Sequence, residues 1–242
     1  MDVFEALYTT RAMRRVKEDP IPDEIIKSMI DSAIRAPSGS NRQDWRFVAV
    51  TDQEVRTQLA DIYKETWDYY VKSFYNNSSD LGASNLKDKE QIDTVRRISN
   101  SASWLAENYE KVPLLVLVFS RNDPTGSSIY PAIWSLMLAA RGHGIGTCLT
   151  TVMSFKTEEV YKILDIPADK GWTLNATITA GYPLGKWGVA TRKPVEEVTF
   201  LNKKLERIFK NKVINNLSPL IYRILSRLSL TQHAWSPLFQ KP

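Results

Sequence analysis

Cysteine is almost missing from this 242-residue chain: only Cys148 is present, so no internal disulfide framework holds the fold. Histidine is scarce as well, with His143 and His233 far apart, and a His/Cys metal cluster is excluded. No loop carries the D-x-D-x-D spacing of an oxygen-ligand cation site. No apolar run reaches the 18 residues that a membrane-spanning helix needs. The start, MDVFEALYTTRAMRR, has an acid at position 2 and no apolar core, and is not read as a secretory leader. A reducing cytoplasm is the expected compartment.

What is present is a core's worth of apolar residues, 43% of the chain, and a net charge of +5 that is unevenly distributed. From Phe200 to Pro242 eight Lys and Arg face one acid, a net +7, which leaves the first 199 residues at −2. The basic pI of about 9.2 therefore belongs to the tail. The main body lacks the positive field that a nucleic-acid partner requires. Two regions are expected: a domain over 1–199 and a basic C-terminal arm over 200–242. Within the arm, residues 218–230 place Leu220, Ile221, Ile224, Leu225 and Leu228 beside Arg223 and Arg227. That pattern fits an arm wrapped over a partner subunit, a helix lying on an anionic membrane surface, or a solvated tail.

Periodicity places a short helix at 2–9 and a second from Glu24 to about Arg35, capped by Asp23 and ended before Pro37. WRFVAV (45–50) reads as a strand, followed by helices over 53–75 and 87–109 separated by a turn-rich loop, 76–85. PLLVLVF (113–119) reads as a strand buried on both faces. The almost wholly apolar SSIYPAIWSLMLAARGHGIG reads as a helix ended by Gly142 and Gly144 that must be covered, by its own fold or by a second subunit. TLNATITAGYP closes the set as a strand. Long helices around few strands make the class α+β.

Four stretches combine small residues, hydroxyls and cations: TTRAMRRVKEDPIP, APSGSNRQDW, GHGIGTCLTT and GYPLGKWGVATRKPVEEV. Taken singly they read as surface arginines, a loop, a helix end and another loop. Taken together they offer cations and backbone N–H groups to a phosphate, and hydrogen-bond partners to the edge of a flat heterocycle. Cys148, in an apolar stretch with no cation nearby in sequence, reads as a small buried hydrophobe and not a nucleophile.

In the order and spacing of these motifs, over roughly residues 4–200, the chain resembles the nitroreductase-like FMN-dependent flavoproteins, a family that includes iodotyrosine deiodinase and the flavin-cleaving synthase of a cobalamin lower ligand. The resemblance implies a three-layer α+β fold with a mainly antiparallel central sheet, in an intertwined homodimer that holds FMN between its subunits. It implies that Arg11 and Arg14, with Arg192 or Lys193, bind the FMN phosphate and ribityl chain, and that Asn41 and Gln43 meet the ring edge. Ser38 would meet the phosphate, from the same chain or its partner, and Ser40 the substrate face. Ala12, Arg15, Pro37, Gly39 and Leu149 fall in the same matching stretches as cofactor contacts. Thr150 and Thr151 stand where the family places a donor near flavin N5, and Thr151 is expected to influence one- against two-electron transfer. Glu65 and Tyr69, one helical turn apart, match loosely the deiodinases' lid over a substrate zwitterion. An ordinary exposed helix face is the better account of that pair. The run Trp67, Tyr69, Tyr70, Phe74, Tyr75 offers a surface for an aromatic substrate, or core packing.

The chain departs from the family pattern at three places. Thr10, Arg11 and Ala12 stand where R-R-S is usual, with Arg15 the candidate replacement for the missing arginine. Trp134 stands where Gln is frequent, and Asp44 where proline is usual. The expected activity is NAD(P)H-dependent reduction of nitroaromatic, quinone or similar acceptors by a ping-pong hydride mechanism. Reductive dehalogenation or a specialised biosynthetic reduction is the alternative within the family, and a membrane-associated flavin-binding or interaction protein the alternative outside it.

Overall fold

The computed structural model describes residues 1–75, 86–201 and 206–207. The loop expected at 76–85 and nearly all of the basic arm lie outside the described residues. The described residues divide into two units, Thr10–Trp187 and a second made of Met1–Thr9 with the described residues from Gly188 onward.

The larger unit is built on a four-stranded sheet of β1 (Trp45–Val50), β2 (Leu114–Ser120), β3 (Gly146–Thr150) and β4 (Thr173–Gly181). Their order is β1-β2-β4-β3, with β1 and β3 at the edges. Every pairing is antiparallel: Trp45 faces Ser120, Val116 faces Ile178, and Gly146 faces Gly181. β2 is buried along its whole length. Its alternation explains the uniformly apolar sequence, because a strand covered on both faces needs apolar residues at every position. Leu115, Leu117 and Phe119 join a core with Leu59, Tyr63, Trp67, Leu105 and Tyr109 from α3 (Gln53–Phe74), α4 (Lys89–Glu107) and the turn after it. Leu114, Val116 and Val118 join the other, with Met29 and Ala33 of α2 (Asp23–Ala33) and Ile129, Ile133 and Leu136 of α5 (Ile129–Gly142). The result is the expected three-layer α+β arrangement, helices on both faces of an antiparallel sheet.

Most expected elements are where periodicity put them. α2 differs in its cap: Pro22 holds the N-cap position, no side chain caps the helix, and Asp23 lies in the first turn. There its charge meets the helix dipole without bonding a free N–H. α5 buries Ile129, Ala132, Ile133, Leu136 and Met137 but leaves Tyr130 and Trp134 about two-fifths exposed. In the larger unit two helix or strand elements go unannounced by periodicity, β3 and α6 (Thr157–Ile163). Among the described residues no helix is long and apolar enough to cross a membrane.

In the smaller unit, α1 (Val3–Thr9) buries Ala6 and Thr9 while Val3, Phe4, Leu7 and Tyr8 are exposed. The same unit carries α7 (Val195–Val198) and a two-stranded pairing of β5 (Phe200–Leu201) with β6 (Glu206–Arg207). Val195, Val198 and Phe200 are exposed.

Candidate functional site

The arginine-rich segment lies as an extended strip along β3. Met13 donates its N–H to the Thr147 carbonyl at 2.8 Å, Lys17 to Tyr182, and Leu184 to Arg15. Bridges join Ala12 to Thr147 and Val16 to Pro183. Met13 and Val16 turn inward and are buried. The strip sits this close because Gly146 and Gly181 have no Cβ: one added at Gly146 would lie 2.7 Å from Met13 Cβ, and one at Gly181 2.7 Å from Val16 Cβ. The G-I-G and G-Y-P motifs thus do more than end a helix and a strand. They seat the arginines.

Arg11 and Ala12 are exposed, Arg14 is half-buried, and Arg15 is exposed. The Arg15 guanidinium lies 5.6 Å from the centre of the Trp104 ring, a cation–π contact. Arg14 lies near enough to the Cys148 thiol for its charge to favour the thiolate. Cys148 has no cation nearby in sequence, but it has one in space. Burial nevertheless dominates and pushes the thiol pKa up, so the residue stays protonated and unreactive. Among the described residues no carboxylate pairs with Arg14 or Arg11. A half-buried guanidinium without a counter-charge is the donor that a phosphate calls for. Arg192 and Lys193 are exposed in the other unit, where Arg192 donates to the Thr191 carbonyl at 3.0 Å.

The opening loop is a different construction. Gly39–Asn41 form a single 3-10 turn, and Ser40, Asn41 and Gln43 all have φ near +53°, the left-handed region that costs a side-chain-bearing residue about 1 kcal/mol or more. Local bonds hold it there. Gln43 N–H donates to Ser38 Oγ at 3.2 Å, Gln43 Nε2 donates to Asn41 Oδ1 at 3.0 Å, and Gly39 N–H donates to Ser128 Oγ at 3.2 Å. Pro37, Gly39, Ser40, Asn41 and Gln43 remain exposed, and Ser38 is partly buried.

Asp44, in the usual proline position, anchors the loop. It accepts from Asn122 Nδ2 at 3.2 Å and pairs with Arg121 at 3.5 Å and Arg42 at 3.6 Å. The Asn122 bond, aided by the two arginines, holds its pKa below the usual carboxylate value. A depressed native pKa stabilises the fold above the unfolded value near 3.8, and that contribution is lost as pH falls through the native pKa. Asp44→Asn is therefore expected to melt below wild type at pH 7, with the gap closing as the buffer is taken below pH 3.8. A gap that stays constant across that range argues against the assignment.

The two threonines at the end of β3 point apart. Thr150 is buried, with its hydroxyl 3.2 Å from that of Tyr63, whereas Thr151 is exposed. Thr151 alone presents a side chain outward. Leu149, on the opposite face of β3 from Thr150, is partly buried against the α2–α5 core. Directly after Thr151 a 3-10 segment (Val152–Lys156) meets the outer face of α3. Lys156 Nζ lies 2.5 Å from Glu65, a hydrogen bond that raises the lysine pKa, and the Tyr69 ring meets Phe155 edge-on at 5.8 Å. The Glu65 carboxylate is thus already engaged by a cation of its own chain. Tyr69, Phe74 and Phe155 are each more than half exposed and form an aromatic shelf one residue turn from Thr151. Periodicity shows Glu65 and Tyr69 on one face but gives no sign of Phe155 and Lys156, which come from a distant part of the chain.

Most of the expected site residues therefore form two groups, to which Glu65 and Tyr69 of α3 and Arg192 and Lys193 of the smaller unit do not belong. Arg11, Arg14, Leu149, Thr150 and Thr151 lie along edge strand β3, while Pro37–Gln43 lead into edge strand β1. The two edges are three strand spacings apart, about 14 Å. Among the described residues no cluster of His, Cys, Asp and Glu suits a metal ion.

Comparison with known proteins gives the family. Over 183 residues the chain is 29% identical to the iodotyrosine deiodinase of Thermotoga neapolitana, covering 75% of this chain and 88% of that protein. With the iodotyrosine deiodinase of Danio rerio it shares 25% over 199 residues, 76% of this chain but 62% of the longer relative. Among solved structures it is similar, with a TM-score of 0.61, 22% identity and coverage of 83% and 97%, to the FMN-dependent nitroreductase of Mycobacterium smegmatis in complex with NADPH. The model of the Nitroreductase family matches residues 7–182, spanning the arginine strip, the opening loop, the whole sheet and both threonines, and on that match the chain belongs to the nitroreductase family.

Proposed function

We propose that this chain is an FMN-dependent oxidoreductase working as a homodimer, which takes reducing equivalents from NAD(P)H and passes them to a small aromatic, nitroaromatic or quinone-like acceptor. The carrying observation is the division of the site residues between opposite sheet edges. A second copy that brings its Pro37–Gln43 loop to the first copy's β3 edge unites them. Exposed Tyr130 and Trp134 of α5 supply apolar surface for such an association.

The residues present fit the cofactor. Arg14 and Arg11 offer uncompensated positive charge for a phosphate, with Arg192 or Lys193 as further candidates. The strained Ser38–Gln43 loop exposes amide groups suited to a heterocycle's polar edge, and Ala12 and Gly39 leave room for close approach. When bound, FMN supplies the hydride chemistry. The chain's own tasks are to hold the phosphate by guanidinium groups, to orient the ring between loop and strand, and to place the Thr151 hydroxyl at its edge. The aromatic shelf of Tyr69, Phe74 and Phe155 offers a flat acceptor a stacking surface.

The reading is tested by adding FMN to the purified protein. The expected result is a yellow stoichiometric complex, a dimer by light scattering, and NAD(P)H oxidation stimulated by nitroaromatics and quinones. A colourless monomer that takes up no FMN overturns it. Similarity to the deiodinases favours a second reading, reductive dehalogenation, in which Glu65 contacts a substrate ammonium. The Glu65–Lys156 pair stands against it, because a cation already occupies that carboxylate. Halide release from a halotyrosine under chemical reduction, at a rate above nitroaromatic turnover, decides for the second reading.

A further inference from the structure

The end of β3 is tied to the interior by a buried hydroxyl that the proposed reaction leaves without a task. Tyr63 of α3 is 3% exposed, and its ring stacks on Tyr109 with centroids 4.0 Å apart and planes 14° from parallel. Its hydroxyl lies 3.2 Å from Thr150 Oγ1, and that same oxygen accepts the Val152 N–H at 3.3 Å. The Thr150 hydroxyl thus bonds on one side to a core helix and on the other to the backbone just past Thr151. A hydroxyl oxygen has two lone pairs and one proton, enough for both bonds at once. Burial pushes the Tyr63 pKa up to about 12, so the phenol keeps its proton at any working pH. Tyr109 differs: its hydroxyl is equally buried and its polar neighbour is Thr177, yet neither hydroxyl makes a well-formed hydrogen bond among the described residues.

We infer that Tyr63 is a positioning residue, which through Thr150 fixes the Thr150–Val152 turn and thereby sets how Thr151 meets the cofactor. The tether itself stands on the hydrogen bonds alone; its effect on the cofactor rests on the flavin reading above. The sequence motif places a donor at this strand end, and the structure adds what holds it still. Without the tether the turn keeps, among the described residues, the Val152–Thr150 bond and two bonds to the Thr151 carbonyl, from the Ser154 N–H at 3.0 Å and the Ser154 Oγ at 2.7 Å.

The experiment compares Tyr63→Phe with Tyr109→Phe, since both keep the stacked rings and only the first removes the tether. In protein without added flavin, hydrogen exchange at the Val152 amide is expected to accelerate at least tenfold in Y63F and to stay within twofold of wild type in Y109F. In protein loaded with FMN, the midpoint potential of the bound flavin is expected to shift in Y63F and not in Y109F, with FMN affinity within threefold in both. Unchanged Val152 exchange in Y63F overturns the tether. Faster exchange with an unmoved potential overturns the positioning role, and equal changes in both variants assign the effect to packing. If Y63F does not fold, Thr150→Val removes the link from the other side together with the Val152 acceptor, so it is read on the flavin potential alone: a shift upholds the positioning role and an unmoved potential overturns it. Wild-type protein that takes up no FMN defeats the flavin reading, while the exchange measurement still decides the tether.

Discussion

Alanine at Arg14 is expected to weaken FMN binding about a hundredfold, read as Kd from quenching of flavin fluorescence. Hydrogen bonds to charged groups are worth about 1.5–3 kcal/mol, and the upper end of that range corresponds to roughly this factor. Arg14 earns the upper end because it is half-buried on a strip pinned to β3, so its charge is less screened than that of a surface arginine. Removing it orphans no acid, as none pairs with it among the described residues. Its other neighbour, the Cys148 thiol, is held neutral by burial and tolerates the loss. Melting of the flavin-free protein should therefore change little while affinity collapses, a separation that a general folding defect does not produce. Arg14→Lys keeps the charge but not the forked donors and should fall between, about tenfold weaker than wild type. An R14A protein that binds FMN within threefold of wild type removes this residue from the phosphate site.

The second large effect is on stability. Gly146→Ala is expected to lower unfolding free energy by about 2–3 kcal/mol, a cost typical of overpacking, and to lower the melting temperature by roughly 4–12 °C for a chain of this size. The added methyl lies 2.7 Å from Met13 Cβ, and Pro183 Cβ stands 3.3 Å away on the other side. A Cβ cannot rotate out of the way, so the backbone strip must lift, straining the Met13–Thr147 bond. Gly181→Ala meets the same problem at Val16 Cβ, 2.7 Å away, and at Pro113 Cδ, 3.1 Å away. The two residues face each other in register, so their effects should fall short of additive: once the strip has lifted, the second methyl finds room. Because Arg14 sits on the strip between Met13 and Val16, G146A should also weaken FMN binding. R14A, in contrast, spares stability. Thermal melts of both variants with and without FMN separate the two causes, and a G146A protein that melts with wild type refutes the close-approach argument.

The fold was legible wherever burial left a periodic trace. PLLVLVF could only be a strand covered on both sides, and α5 could only be a helix with little solvent contact. β3 left no such trace. GTCLT is short and holds one glycine and two threonines, and it is a strand because β4 pairs with it and the arginine strip covers its other edge. The same limit applied at the site. The order of motifs carried the family, and the residues within them carried the expected chemistry. Thr150 and Thr151 read alike in sequence because side-chain direction at a strand end depends on which residue the sheet still claims. Glu65 read as a free carboxylate because Lys156, its counter-ion, is 91 positions away.

Composition and apolar periodicity, both local properties, determined from the chain alone that this is an α+β protein without disulfides, built from two strongly buried segments and carrying a cation-rich strip and a small-residue loop. Only the tertiary structure decided which groups meet. It set the strip against β3, parted it from the loop by the width of the sheet, turned one threonine inward to Tyr63, and gave Cys148 and Glu65 cationic neighbours. Contacts between residues far apart in sequence depend on how whole faces pack, and no window of sequence contains both partners.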